Sequence, residues 1–144
     1  MFGQTVESVM QTDNLLVGAP HSTVLDAAIQ MARRKVGAML VLDGARLVGI
    51  FTERDALIRV LAASRDPART LLAEVMTPEP TTITPDKSFG LALLVMHEEG
   101  FRHLPVVEAG RVVGIVSARN ALDPDLEEFA FEASRRQYYL RERD

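Results

Sequence analysis

The stretch Gly49-Ile50-Phe51-Thr52-Glu53-Arg54-Asp55 decides the fold, because it changes from a strand pattern to a helix pattern. Leu47 to Phe51 is an apolar run typical of a buried strand, and a helical pattern continues from Asp55 to Leu61. Thr52 therefore stands where free backbone N–H groups at a helix start attract anions. Two interpretations stay open for Thr52 and Asp55: a helix cap, which the motif alone favours, or a grip on the phosphate and ribose of a phosphorylated sugar.

The same stretch occurs a second time, as Gly114-Ile115-Val116-Ser117-Ala118-Arg119-Asn120, 65 positions further along the chain. An internal repeat must be interpreted before any single motif, and two copies indicate a duplicated unit rather than a solenoid. The equivalent positions that carry chemistry are Thr52 with Ser117, Arg54 with Arg119, and Asp55 with Asn120.

Each copy is predicted to fold as a β-α-β-β-α unit. Ser22 or Thr23 can cap the first long helix, Asp43-Gly44 predicts the turn of a hairpin, and Gly100 is a plausible helix terminator. A three-stranded sheet with two helices on one face leaves apolar surface uncovered, so the two units should pack face to face in an α+β fold. The predicted boundaries are 3–64 for the first unit, 65–72 for a linker, 73–122 for the second unit and 123–144 for a C-terminal extension.

The C-terminal extension is predicted to be helical. Asp123-Pro124 is a typical helix start, and an apolar stripe follows at Leu126, Phe129 and Ala130. Such a stripe either packs on its own domain or serves as a dimerisation or partner-docking surface, and both interpretations stay open.

Composition excludes several classes of function. The 144 residues carry a net charge of −4, so a global cationic field for nucleic acid or anionic lipid is absent. The chain has no cysteine, which rules out disulfides, thiolate zinc sites and cysteine nucleophiles, and which suits a reducing, cytoplasmic location. The N-terminus shows no signal-peptide pattern, and no apolar run approaches the roughly 20 residues of a membrane helix.

Taken together, these residues resemble the tandem cystathionine-β-synthase (CBS) domain pair, or Bateman module. The resemblance rests on the duplicated unit, on the hairpin ending Gly-Ile-x-(Thr/Ser)-x-x-(Asp/Asn), and on the run Arg102-His103-Leu104-Pro105-Val106-Val107, and it covers about residues 3–122. It implies a disc-shaped, pseudo-twofold pair that is usually dimerised, with two clefts for adenosine ligands such as AMP, ATP or NAD, and occasionally S-adenosylmethionine.

The resemblance also implies site residues in both clefts. The first cleft would use Thr52, Asp55 and Arg54 for phosphate and ribose, with Val17, Ala38 and Met39 lining the base pocket. The second cleft would use Ser117, Asn120 and Arg119, with Thr82, Arg102 and His103 nearby. Because Asn120 replaces the ribose-binding aspartate, the first cleft is expected to hold a ribose diol better than the second.

The function implied by the resemblance is that of a stand-alone regulatory module. It would sense an adenosine nucleotide, AMP before others, form a homodimer and signal to a separate protein target, without a required cofactor, nucleic acid or membrane. The alternative is a structural dimerisation protein with no physiological ligand. An enzyme is disfavoured, because the three histidines are not placed beside serine and aspartate as a catalytic set and no metal-ligand cluster is evident.

Overall fold

The computed structural model describes residues 2–122 together with Arg135 and Arg136. The first repeat begins with the short helix α1 (Val6–Val9), and its remaining elements follow in the order strand, helix, hairpin, helix. These are β1 (Val17–Gly18), α2 (Val24–Arg34), β2 (Ala38–Asp43), β3 (Arg46–Thr52) and α3 (Glu53–Asp55), which a π-helical segment continues over Ala56–Leu61.

The second repeat has the same order with a weaker first strand. Its elements are α4 (Leu72–Val75), β4 (Thr77–Pro78), α5 (Phe89–Glu99), β5 (His103–Glu108) and β6 (Arg111–Ser117), followed by a 3-10 helix over Ala118–Leu122. In place of a strand equivalent to β1, the second repeat has a single parallel bridge between Ile83 and Val106.

Local signals in the sequence account for most of the helix ends. Thr23 caps α2 by accepting a hydrogen bond from the Asp26 backbone N–H at 3.1 Å, so Thr23 rather than Ser22 is the cap. Gly100 ends α5 with a φ of 73°, the left-handed conformation that glycine adopts without strain. The helix after Thr52 ends at Leu61, and the Ala62 backbone N–H donates to the Leu57 carbonyl as a π-type bond.

The sheets differ from the three-stranded prediction. In the first sheet the order is β1-β2-β3-β4, and β4 is contributed by the second repeat through the pairs Gly49–Pro78 and Ile50–Thr77. The second sheet is the antiparallel pair β5-β6. Its counterpart of β4 is a bridge between Gln11 of the first repeat and Ile115. In each repeat, the segment after the first short helix therefore pairs with the hairpin of the other repeat.

The hydrophobic cores show the same exchange. Leu72 and Val75 of α4 are buried in the core formed by the first hairpin and α2, whereas Val6 of α1 is buried in the core of the second hairpin and α5. The backbone supports this packing, because Val6 donates to the Lys87 carbonyl at 2.7 Å. The two cores are thus tied together by crossed helices, and neither repeat builds its core alone.

These elements confirm the predicted α+β class with two similar units. The predicted boundaries of the units and linker stay a prediction. The predicted C-terminal helix lies outside the described residues, except for Arg135 and Arg136, which are helical and exposed. Within the described part of the chain, every helix is too short or too polar to cross a bilayer.

Candidate functional site

A cavity of about 880 Å³ lies between the two units. The first unit contributes the segment before β1, one side of α2, the start of β2 and the junction of β3 with α3, and the second contributes the start of β5 and the turn after β6. The volume falls in the range of roughly 300–1,000 Å³ that is usual for small-molecule sites.

The cavity contains equivalent positions from both repeats. Three pairs related by the 65-residue offset contribute to one continuous wall: Gly37 with Arg102, Ala38 with His103, and Glu53 with Ala118. The cavity therefore lies across the pseudo-twofold axis that relates the two units. Of the residues that the sequence assigns to the first cleft, Ala38 is the one that lines this space, together with residues assigned to the second cleft.

Thr52 and Asp55 form the helix cap that the motif alone favours. One Asp55 carboxylate oxygen accepts from the Thr52 backbone N–H at 2.9 Å and from the Thr52 hydroxyl at 3.1 Å. The Asp55 backbone N–H donates back to the Thr52 hydroxyl oxygen at 3.2 Å. The other carboxylate oxygen lies 3.7 Å from the Arg59 guanidinium, and Asp55 is buried. Neither Thr52 nor Asp55 lines the cavity.

Ser117 and Asn120 repeat the cap but stand on the cavity wall. The Asn120 side-chain oxygen accepts from the Ser117 backbone N–H at 2.7 Å and from its hydroxyl at 3.3 Å. Both residues line the cavity. The structure thus brings the motif residues of the second copy, and not those of the first, to the space between the units.

The two equivalent arginines have different surroundings. The Arg54 guanidinium donates to the carbonyl of Gly100 at 3.3 Å, at the end of α5, where a cation suits the helix dipole. Arg119 lines the cavity instead. Arg54 therefore connects the two units, whereas Arg119 stands where an anion can be bound.

Apolar residues reach the cavity from the segment before β1, which contributes Leu15 and Leu16, and from both strands of the first hairpin, which contribute Leu40 and Phe51. Leu40 lines the cavity while Met39 is buried in the first core, and Leu16 lines it while its neighbour Val17 does not. Ala38 lies on the wall beside residues assigned to the second cleft.

Thr82 is the remaining predicted site residue, and it lies elsewhere. It lines a separate depression of about 260 Å³ beside the exposed ion pair of Arg46 and Glu79. Of the twelve residues predicted from the sequence, the six that meet at the large cavity are Ala38, Arg102, His103, Ser117, Arg119 and Asn120.

The cavity wall is cationic although the chain as a whole is anionic. Lys35, Arg102 and Arg119 carry three positive charges and Glu53 carries one negative charge, which leaves two positive charges with His103 neutral. Against a net charge of −4 for the chain, this local excess favours an anionic group in the cavity. Arginine is well suited to a phosphate, because its planar fork can donate two hydrogen bonds at once.

His103 is the titratable group at the centre of these charges. Burial lowers the pKa of His103, the Glu53 carboxylate opposes this by raising it, and the Arg119 and Arg102 guanidinium groups lower it again. A bound anion would favour the protonated imidazole, because an opposite charge stabilises the charged form.

Sequence reasoning missed Lys35 and Glu53. Lys35 ends α2 in a left-handed conformation with a φ of 56°, and the sequence marks it only as a cation that suits a helix end. Glu53 lies inside the repeated motif. The motif predicts that Glu53 is in a helix, but it does not predict that Glu53 lies beside Gly37. Among the described residues, no group of three or more histidine or acidic side chains is placed to hold a metal ion.

Comparison with known proteins identifies the family. The family profile of the CBS domain matches residues 6–62 and 72–125. These segments make up well over half of the chain, so the chain belongs to the CBS domain family, and the resemblance inferred from the sequence is confirmed.

Relatives in other organisms support the assignment. A CBS domain-containing protein of Arabidopsis thaliana, CBSCBSPB3, is 41% identical over 121 residues, which are 83% of this chain and 22% of that protein. A second Arabidopsis relative, CBSCBSPB2, is matched over 19% of its length. The chain thus spans about a fifth of the length of these curated relatives.

Solved structures share the fold. A protein with CBS domains from Burkholderia ambifaria superposes with a TM-score of 0.81 at 29% identity, over 86% of this chain and 95% of that one. The CBS domain pair of protein MJ0100, solved in complex with 5′-methylthioadenosine and S-adenosyl-L-methionine, gives a TM-score of 0.74 at 22% identity, over 82% and 96% of the two chains. At that identity the second likeness shows the fold alone.

Proposed function

We propose that this chain is a regulatory module that binds an adenosine nucleotide, AMP before others, in the cavity between its units and signals occupancy to a separate protein. The observation that carries the proposal is the cavity of about 880 Å³ with cations from both units on its wall. The adenosine ligands of the MJ0100 domain pair support the choice of ligand class.

The geometry supports a division of the ligand between polar and apolar walls. Arg102 and Arg119 suit the phosphate, and Ser117 and Asn120 offer hydroxyl and amide groups for the ribose. Leu16, Leu40 and Met31 provide apolar surface for the base. In this arrangement the second copy of the motif holds the nucleotide, and Thr52 and Asp55 keep the first unit's helix in place.

Signalling would follow from the position of the ligand. A group that touches both units can favour one arrangement of the two units over another, by as much as its affinities for the two arrangements differ. Leu57, Ile58 and Leu61 lie exposed beside each other on the helix after Thr52 and offer an apolar surface for a homodimer or for the target protein. A cytoplasmic location belongs to this proposal, since adenosine nucleotides are abundant there.

Matched arginine variants test the proposal. Calorimetric titration with AMP is carried out on the wild type, on Arg119→Ala and on Arg54→Ala, the equivalent residue of the other repeat. Because hydrogen bonds to charged groups contribute about 1.5–3 kcal/mol, we expect Arg119→Ala to weaken AMP binding by about ten- to a hundredfold. Arg54→Ala should leave the affinity within about threefold, since that side chain bonds to Gly100.

The same proteins distinguish a purely structural role. A ligand that binds only the folded state raises stability by about 2.7 kcal/mol at a concentration of 100 times its dissociation constant. If millimolar AMP, ATP, NAD and S-adenosylmethionine all leave the melting temperature unchanged while the protein is dimeric, the proposal is refuted and the structural interpretation stands. Equal loss of affinity in the two arginine variants would refute the placement of the ligand.

A further inference from the structure

The cavity carries opposite charges at positions that the repeat makes equivalent. In the first unit, the backbone N–H of Glu53 donates to the carbonyl of Gly37 at 3.0 Å. In the second unit, the backbone N–H of Ala118 donates to the carbonyl of Arg102 at 2.9 Å. The backbone hydrogen bond is therefore the same in both units, but the charged side chains differ. In the first unit the charge is the Glu53 carboxylate on the helix, and in the second it is the Arg102 guanidinium before the strand.

Gly37 makes room for the carboxylate. A Cβ atom built on Gly37 would lie 3.0 Å from the Glu53 Oε1 and 3.2 Å from its Cδ, so the carboxylate lies directly over the glycine. At the equivalent place in the second unit the sizes are reversed, with Arg102 on the strand and Ala118 on the helix. Because Gly37 has no side chain, the Glu53 carboxylate can lie close against the strand at this point of the wall.

Glu53 is the one acidic side chain among the described residues that line the cavity. Its charge acts on His103 by raising the pKa of the imidazole, and the other charged groups on the wall are Arg102, Arg119 and Lys35. A carboxylate in this position repels any further negative charge on a ligand and attracts hydrogen-bond donors, whereas the three cations attract anions.

We propose that Glu53 is a specificity-determining residue that limits the number of phosphate groups the cavity accepts, and so favours a nucleoside monophosphate over a triphosphate. The inference rests on the proposed function and deepens it. The single phosphate is held by Arg102 and Arg119, and each added phosphate brings negative charge into a space that Glu53 already shares. Removal of the Glu53 charge leaves three cations unopposed and shifts the preference towards the triphosphate.

Calorimetric titration with magnesium-free AMP and ATP measures this preference. The proteins are the wild type, Glu53→Gln, and Glu98→Gln as a control that changes the net charge equally at an exposed position away from the cavity. Because ATP carries about two more negative charges than AMP and Glu53 is exposed to solvent, we expect Glu53→Gln to raise the ratio of ATP to AMP affinity by about five- to tenfold. Glu98→Gln should leave the ratio within about twofold, and the melting temperature of each variant verifies folding.

A nucleotide-free probe separates this inference from the proposed function. Inorganic tripolyphosphate should bind Glu53→Gln more tightly than the wild type by a similar factor. Nucleotide binding with an unchanged ATP to AMP ratio in Glu53→Gln would overturn the role of Glu53 alone. Tighter tripolyphosphate binding by Glu53→Gln, without any nucleotide binding, would overturn the proposed nucleotide sensing alone. No binding of either probe to either protein would overturn both.

Discussion

Replacement of Leu72 by alanine should disturb the core of the first unit, although Leu72 belongs to the second repeat. Leu72 is fully buried, and its Cδ1 atom lies 3.2 Å from the point where a Cβ on Gly18 would stand. Its backbone N–H donates to the carbonyl of Ser22 at 2.9 Å, which holds α4 against the start of α2. The matched variant is Val6→Ala, because Val6 is the fully buried residue at the same place in the first repeat and packs in the second core.

The magnitude follows from burial. Leu→Ala substitutions in cores cost about 2–5 kcal/mol, and Val→Ala removes two methylene equivalents at about 0.8 kcal/mol each, with an added term for the cavity. For a chain of this size, each kcal/mol lowers the melting temperature by about 2–4 °C. We expect Leu72→Ala to melt about 10 °C below the wild type and Val6→Ala about 5 °C below it.

The location of the disturbance is the sharper readout. In two-dimensional NMR spectra, Leu72→Ala should shift the signals of Met39 and Phe51 in the first core and leave Phe89 in the second core nearly unchanged, and Val6→Ala should do the reverse. Urea unfolding followed at signals from both cores should give one transition, because the crossed helices tie the cores together. Shifts confined to the repeat that carries each substitution would refute the exchange of helices.

Three further outcomes are expected. Burial lowers the pKa of His103 in the folded state, so the free energy of unfolding should fall as the pH drops below the unfolded-state pKa of about 6.5. His103→Gln should therefore make the melting temperature depend less on pH between pH 7 and 5, whereas the control His97→Gln should leave that dependence unchanged. A bound phosphate favours protonated His103, so AMP titrations near pH 7 in buffers of different ionisation enthalpy should show proton uptake that His103→Gln reduces. Asn120→Asp should change AMP affinity more than Asp55→Asn does, because Asn120 lines the cavity. Asp55→Asn should instead lower the free energy of unfolding by about 1 kcal/mol through the helix cap, and a larger change of AMP affinity in Asp55→Asn would favour the first cleft as the binding site.

Local structure could be predicted wherever the determining residues are close in sequence. The αL residue Gly100 and the cap at Thr23 each depend on contacts within about four residues, and the structure confirms them. The hairpin turn is also present, one residue later than Asp43-Gly44, because Asp43 pairs with Arg46 and the turn consists of Gly44 and Ala45. The repeat also indicated two similar units, because equivalent residues recur in order. What depends on contacts far apart in sequence was predicted less well.

The exchange of α1 and α4 shows that limit. A repeat states which residues are equivalent, but equivalence leaves open whether a helix packs on its own unit or on the other one. Val6 and Leu72 satisfy the same apolar pattern in either case. The fourth strand of the first sheet was missed for the same reason, because Thr77 and Pro78 pair with a strand of the other repeat.

The lining residues of the first hairpin are difficult to choose from the sequence, because its apolar runs show no alternation of polar and apolar residues. Apolar runs such as Leu15–Val17 and Ala38–Leu42 have no polar partner on either face, so alternation cannot be read from them. The interpretation selected Val17 and Met39, and the cavity is lined by Leu16 and Leu40. Phe51, which pairs with Met39 across the hairpin, lines the cavity too, so the lining depends on how the two units pack and not on strand phase alone.

A duplicated fold has two equal half-sites unless the side chains of its two copies differ at the surface where the copies face each other. Here the backbone bonds of Glu53 with Gly37 and of Ala118 with Arg102 keep the two halves alike, while the exchanged side chains give one half a negative and the other a positive charge. An asymmetric ligand with an anionic end and a donor-rich end can match such a wall in one orientation better than in the reverse. The charge difference between equivalent positions therefore favours one oriented ligand in the shared space over two related ones.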